Sequence, residues 1–297
     1  MSVKVAEYFG QKTDGNPNTI RPVTSVENCP FMNDVCVKLK EGKKPICTVM
    51  QPNGEAWIVC RHRLCATKRI TLMPYQKELL FEVAQHIYGE DVLMQDIAIR
   101  QEENIPVIKG SSYHADYIMK NIGPRGRSSG QKNVILEMQG GGETSSTGSI
   151  TRHVDYWEKN PMRTNEELAK FVAASPIVTN AWRRQQEQFL VKGNIAQMTG
   201  GGMVFCVGNP LYDYLWKRVK DANLNDLKEH NWTLAIVGFN EISEPGSSVL
   251  HFKIDPTRTL FTNYITFVQT LINVGKPHPK MFKGLFSMLD GELLKSV

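Results

Sequence analysis

The sequence predicts an α/β or α+β fold, a central mixed sheet flanked by helices, preceded by a small loop-rich module that is rich in cysteine. Three observations predict it. From about residue 74 onward, helix-like and strand-like stretches alternate, the order that lays helices on the faces of a sheet. Residues 16–70 instead carry turn formers (Asn16, Pro17, Pro22, Pro30, Gly42, Pro45, Pro52, Gly54) between short strand-like pieces such as "PICTVM" and "AWIVC". Five of the six cysteines, Cys29, Cys36, Cys47, Cys60 and Cys65, crowd into one 37-residue stretch. The division expected is residues 1–72 for the module and 73–297 for the core, since a loop-rich segment of that size needs a staple to hold together.

The elements follow in order. "MPYQKELLFEVAQHIYG" places Leu79, Leu80, Val83 and Ile87 at helical spacing and stops at Gly89. Strand-like "NIPVIKG" and "YHADYIMKN" come next, then a basic Gly/Ser loop, "IGPRGRSSGQK", then the strand "NVILEMQ". A capping box from Thr164 to Glu167 predicts a helix in "TNEELAKFVAA". A longer helix, from about Asn180 to Met198, ends at Gly200–Gly202. The strand "MVFCVG", the helix "PLYDYLWKRVKDA", the strands "TLAIVGF" and "VLHFKI", and a helix from Arg258 to about Asn273 complete the chain. There is no internal repeat.

Composition narrows the function classes. At 41% hydrophobic and 22% charged the chain is that of a globular protein, and no apolar run approaches the ~18 residues that span a bilayer. The start, "MSVKVAEYFGQ", lacks the charged-then-apolar pattern of a signal peptide, so the expected location is cytoplasmic. A net charge of +5 is compatible with a polyanionic partner. Neither a P-loop nor a G-x-G-x-x-G fingerprint is present.

Two constellations could carry chemistry. Residues i and i+2 of a strand share a face, so Glu137 and Gln139 point one way while Val134, Leu136 and Met138 point the other. A hairpin would bring Asp116, 21 residues earlier, beside them. Two carboxylates and an amide oxygen suit Mg²⁺, which prefers oxygen ligands and can activate water against a phosphate. The plain alternative is a half-exposed strand with solvent-facing polar residues. In a reducing compartment a cysteine cluster is more often metal-binding than disulfide-bonded. Four thiolates, from Cys29, Cys36, Cys47 and Cys60, are the simplest tetrahedral set, with Cys65 left as a spare and Cys206 as a small core residue. The C-x2-C knuckles of common zinc ribbons are absent, and unrelated buried thiols are the plain alternative. His62, His114 and His153 lack metal-ligand spacing. Basic and polar stretches, "RHRLCATKR", "GPRGRSSGQK", "TRHVDYW" and "AWRRQQEQ", flank the acidic strand and favour DNA as partner, although any one of them could be a solvated face.

In order and in spacing, "VAEYFG", "CPF", "VCVK", "ICTV", "AWIVC" with an arginine soon after, and "HADY…VILEMQ" resemble the NotI family of type II restriction endonucleases over about residues 4–63 and 113–155. The resemblance implies a PD-(D/E)xK nuclease core, a small iron-binding fold held by four cysteines, and a homodimer acting on double-stranded, GC-rich palindromic DNA. It places the structural iron (zinc being the alternative) on Cys29, Cys36, Cys47 and Cys60. It places catalysis on Asp116, Glu137 and Gln139, with Asp116 and Glu137 holding the catalytic Mg²⁺. Gln139 stands where most nucleases of this core carry lysine, a feature shared with NotI-like members. A neutral amide cannot take a proton from water, so the ion must do more of the activation or a second ion must help. A cognate DNA methyltransferase is expected in the same system. A palindrome calls for a two-fold dimer, and the apolar-striped helices after residue 160 are its expected interface. Base readers are expected among Arg152, His153, Arg183, Arg184, Gln185 and Gln186, arginine being suited to guanine. The three glycines after Gln139 would let the backbone approach DNA or turn sharply into a reading loop. A metal-stapled DNA-binding protein without catalysis is the rival of another class, and a repair or other nuclease of the same core is the third.

Overall fold

A computed structural model describes residues 2–14, 20–23, 27–32, 34–65, 72–106, 112–124, 132–161, 167–242, 244, 246–273, 275, 280, 284, 286–289, 291 and 293–294. The cysteine-rich quarter holds four strands, β1 (Lys4–Tyr8), β2 (Gln11–Lys12), β3 (Ile46–Met50) and β4 (Ala56–Ile58), in the order β2-β1-β3-β4. One short helix, α1 (Val37–Lys40), precedes β3. The larger sheet contains β5 (Ile97–Pro106), β6 (Ser112–Asn121), β7 (Val134–Gln139), β8 (Gly202–Gly208), β9 (Leu234–Ile242) and β10 (His251–Thr262), in the order β10-β9-β8-β7-β6-β5. It is mixed, as expected: β7, β8 and β9 run parallel, and the outer pairings are antiparallel.

Helices cover both faces. Helix α2 (Pro74–Tyr88) starts with proline in its first turn, where the missing N–H costs nothing, and ends at Gly89 with φ 114°. Its buried Leu79, Leu80, Val83 and Ala84 pack with Leu136 and Met138 of β7 and Val204 and Cys206 of β8. Burying each of the larger side chains is worth about 1.5–3 kcal/mol. On the opposite face, Ile135 and Phe205 pack beneath α4 (Val178–Met198), α5 (Asn209–Val219) and α6 (Tyr264–Ile272). Helix α4 packs against α6 at Gly193. A Cβ at Gly193 would overlap the Tyr264 ring, and the Tyr264 hydroxyl donates to Leu190 O at 2.6 Å.

Two expected helices differ from the sequence reading. The helix expected from Arg258 to Asn273 starts only at Tyr264. Residues up to Thr262 extend β10, where Thr259, Leu260 and Phe261 pair with β9, and β-branched and aromatic residues suit that surface. Asn263 caps the shorter helix, accepting from Ile265 N at 2.9 Å and Thr266 N at 3.2 Å. In "TNEELAKFVAA", Thr164 lies outside the described residues, and Val172 is not helical; it exchanges backbone hydrogen bonds with Val3 at 3.1 and 2.9 Å. The stretch "TRHVDYW", read for its charges, belongs to helix α3 (Thr147–Lys159), whose buried Ile150, Val154 and Trp157 form a stripe at helical spacing. Most of the loop "IGPRGRSSGQK" also lies outside the described residues.

The small sheet packs against the rest of the chain on both faces. One face, through Ala6, Met50, Ala56 and Ile58, joins the cluster under α2; the other, through Val5, Val49 and Trp57, packs on α3. A buried ion pair fastens it. The Arg63 Nε lies 3.0 Å from both Glu7 carboxylate oxygens, Thr48 Oγ1 donates to Glu7 at 2.8 Å, and the guanidinium also donates to Leu250 O. The same guanidinium lies over the rings of Phe31, Tyr75 and Phe252. Among the described residues no helix is long and apolar enough to cross a membrane.

Candidate active site

β6 and β7 are neighbouring antiparallel strands in the register Tyr117↔Leu136 and Ile118↔Ile135, so Asp116 comes level with Glu137. Their main chains and side chains interlock. Asp116 N donates to Glu137 Oε1 at 3.4 Å, and Met138 N donates to Asp116 Oδ2 at 2.9 Å. Glu137 is buried rather than solvent-facing. Burial, followed by the Asp116 charge, pushes its carboxyl up to about 8, against the pull of Lys192. A group so perturbed by desolvation and a like charge is a mark of functional sites as well as of structural networks.

Helix α4 supplies the other wall. Gln185 and Lys192 lie seven residues apart, close to two helical turns, so both face β7. Gln185 Nε2 donates to Gln139 Oε1 at 2.7 Å, while Lys192 Nζ lies 2.7 Å from Glu137 Oε2. Gln139 in turn donates to Gly141 O. Lys192 was not among the residues expected from the sequence. Its only local signal is a charge on a buried face, flanked by Phe189 and Ala196 four residues or fewer away. Cys65 was set aside as a spare, yet its thiol hydrogen-bonds Asp116 and feels the Glu137 charge; burial first and these two acids next hold it well above the usual thiol range.

The glycines after Gln139 serve packing within the chain. A Cβ at Gly140 would overlap Ile58 and Leu64, and one at Gly141 would overlap the Ile58 carbonyl. Gly140 O accepts from Ile58 N at 3.2 Å, and the Trp57 indole donates to Gly142 O and Glu143 O at 3.2 Å each. The close approach is therefore to the small sheet of this same chain.

A cleft of about 760 Å³ opens where Gln139 ends β7. Its lining brings Lys38, Lys43, Lys44 and Arg61 of the cysteine-rich quarter opposite Arg184 of α4, with Glu143 the only carboxylate among the described residues there. Several of these cations have partners: Arg184 pairs with Glu143, Lys43 with Glu41 at 2.8 Å, and Lys44 with Asp155 at 2.6 Å. Of the expected base readers, Arg184 and Gln185 line this cleft. Arg152 donates to Ser149 Oγ at 3.2 Å and His153 Nε2 sits 2.7 Å from Glu167 O, both off the lining, as are the exposed Arg183 and Gln186.

Cys29, Cys36 and Cys47 gather in one apolar cluster with Phe31 and Met32, and Cys60 packs against it. Each sulfur accepts a backbone N–H: Cys29 from Phe31, Cys36 from Lys38 and Leu39, Cys47 from Gly10, and Cys60 from His62 and Arg63. Such donors favour thiolate, the form that binds metal. The Cys29 thiol bond, with the amides and the Lys38 charge behind it, draws Cys36 down to about 6 against burial, while burial holds Cys47 and Cys60 up. Among the described residues no three His, Cys, Asp or Glu side chains are placed to hold a metal ion as they stand. All six cysteines are free, and Cys206 is buried in β8 as a small core residue.

No protein-family model matches the chain. No curated protein matches it either.

Proposed function

We propose that this chain is a divalent-metal-dependent endonuclease that cuts double-stranded DNA at a short palindrome, as a homodimer, in the manner of type II restriction enzymes. The observation that carries the reading is the Asp116–Glu137 pair, two carboxylates level on neighbouring strands, with Gln139 two residues on lining a cleft that also carries Lys38, Lys43, Lys44, Arg61 and Arg184. A binding-only protein gains nothing from such a pair next to phosphates, since like charges repel. The donor set is two carboxylates and the Gln139 amide, all oxygen, and it fits Mg²⁺. An ion held by Asp116 and Glu137 would supply Lewis-acid stabilisation of charge on the scissile phosphate. The chain's own residues do the rest. Gln185 fixes the Gln139 amide, α4 and β6 fix Glu137 from two sides, and the cations of the cleft align the phosphate backbone.

Iron or zinc in the four-cysteine site is part of the same proposal. The sulfur-directed amides support it, and Cys29, Cys36, Cys47 and Cys60 would hold the ion. Its chemistry would be structural, tying together helix α1, which carries Lys38, and the helical turn that carries Arg61 into the cleft. The dimer, a GC-rich site and a companion methyltransferase follow from the resemblance over residues 4–63 and 113–155.

The test is direct. Supercoiled plasmid DNA incubated with the protein and Mg²⁺ should give discrete fragments, and sequencing their ends should return one palindromic site. Asp116→Ala and Glu137→Ala should each cut at least 100-fold more slowly while still binding the duplex. Binding without cutting in the wild type would favour the non-catalytic reading, and unspecific degradation would favour a repair-type nuclease.

A further inference from the structure

The third position of the strand motif, Gln139, carries no charge, yet an ammonium stands beside the carboxylates all the same. It comes from a helix. Lys192 reaches from α4 to within 2.7 Å of Glu137 Oε2, with its side chain 3% exposed and that of Glu137 5% exposed. Desolvating an ammonium is costly, and the surrounding face of α4, with Phe189, Gly193 and Ala196 buried, would accept an apolar side chain at that position. The helix is also held in phase with the strand. Gln185 engages Gln139 two turns before Lys192 engages Glu137, so the two contacts run in step along α4 and β7.

We propose that Lys192 is a catalytic residue, supplying from α4 the active-site ammonium that the strand motif lacks. This rests on the nuclease reading. In hydrolysis the water oxygen bonds to phosphorus while the bond from phosphorus to the leaving sugar oxygen breaks. The water releases a proton to solvent, and the leaving oxygen takes one up. Lys192 acts in this step as a hydrogen-bond donor. It donates to Glu137 and to an oxygen of the phosphate or of the attacking water, where negative charge builds as the new bond forms.

The experiment uses the full-length protein on a duplex carrying its site. Lys192→Met removes the cation; Lys192→Gln removes it but keeps a donor toward Glu137, and so guards against loss of the fold. Circular dichroism establishes folding, and duplex binding is measured with Ca²⁺ in place of Mg²⁺. Each folded variant should bind within threefold of wild type and cut at least 100-fold more slowly in single turnover. Adding Gln139→Lys to Lys192→Gln, which returns an ammonium to the strand, should recover at least tenfold of that loss. A counter-ion with a purely structural role would give no such recovery. Cleavage within tenfold of wild type by either folded variant overturns the proposal, and so does a double variant no faster than Lys192→Gln. A wild-type protein that cuts nothing, with Asp116→Ala equally inert, defeats the nuclease reading itself. A wild type that cuts, an inactive Asp116→Ala and an active Lys192→Gln defeat only the role of Lys192.

Discussion

Replacing Arg63 with methionine should be among the most destabilising single changes in the chain. Arg63 is 2% exposed and Glu7 is fully buried, with the Arg63 Nε 3.0 Å from both carboxylate oxygens. Methionine fills part of the volume among Phe31, Tyr75 and Phe252 but leaves the Glu7 carboxylate with the Thr48 hydroxyl in place of the ion pair. Removing one partner of a buried pair costs about 3–5 kcal/mol, a large share of the ~5–15 kcal/mol that holds a protein folded. At roughly 2–4 °C per kcal/mol for a chain of this size, the melting midpoint should fall by roughly 6–20 °C. Urea unfolding followed by tryptophan fluorescence, for wild type, Arg63→Met, Glu7→Gln and the double variant, gives the coupling. Because the damage is an uncompensated charge, the double variant should be more stable than Arg63→Met alone by at least 1 kcal/mol, well above the ~0.5 kcal/mol scatter of independent sites. A loss below about 1 kcal/mol for Arg63→Met, where surface changes ordinarily fall, would refute the reasoning, as would a cycle with no coupling.

Further outcomes are expected. Serine at Cys29, Cys36, Cys47 or Cys60 should each strip the metal, found by elemental analysis at about one tightly held ion per wild-type chain, and lower the melting midpoint; serine at Cys206 should leave the metal in place. His86 is held down to about 4 by burial and by the Lys228 charge. Between that value and its ordinary one near 6.5, the unfolded chain takes up a proton that the folded chain refuses, so stability should fall as pH drops through 6.5 and level off below about 4. His86→Leu should flatten that part of the pH profile, and an unchanged difference between the two proteins from pH 7 to pH 4 would contradict it. Gln185→Ala frees the Gln139 amide and should slow cleavage by about tenfold, a tenfold rate loss corresponding to ~1.4 kcal/mol.

What could be read in the sequence was whatever short-range chemistry decides. The helix Pro74–Tyr88 has its apolar period and its glycine stop within one window, and the alternation of Leu136, Glu137, Met138 and Gln139 assigns two faces to β7 before any partner is known. The pairing of Asp116 with Glu137 needed only the inference of a hairpin. Lys192 had no such local sign, because its meaning depends on which face of a 21-residue helix meets which strand. The segment from Arg258 was misassigned because its apolar spacing suits either state, and only pairing with β9 chooses between them. The charges of "TRHVDYW" drew attention from the Ile150, Val154 and Trp157 stripe beneath them. Gly140 and Gly141 could not announce that their missing side chains make room for Ile58 and Leu64, residues some 80 positions earlier.

The contact between Gly193 and Tyr264 has a bearing on how this protein can change over generations. The ring of Tyr264 fills the space where a side chain at 193 would stand, and so sets the azimuth of α4 about its own axis. A methyl group there must push the ring aside or turn the helix. At a radius of about 5–6 Å, a 20° turn carries a side chain sideways by roughly 2 Å, enough to part Lys192 from Glu137 and Gln185 from Gln139. Any larger residue at 193 therefore requires a smaller one at 264 in the same lineage, although neither of these positions touches a carboxylate of the site. Substitution at the two should be coupled, with intermediates carrying only one change the least fit.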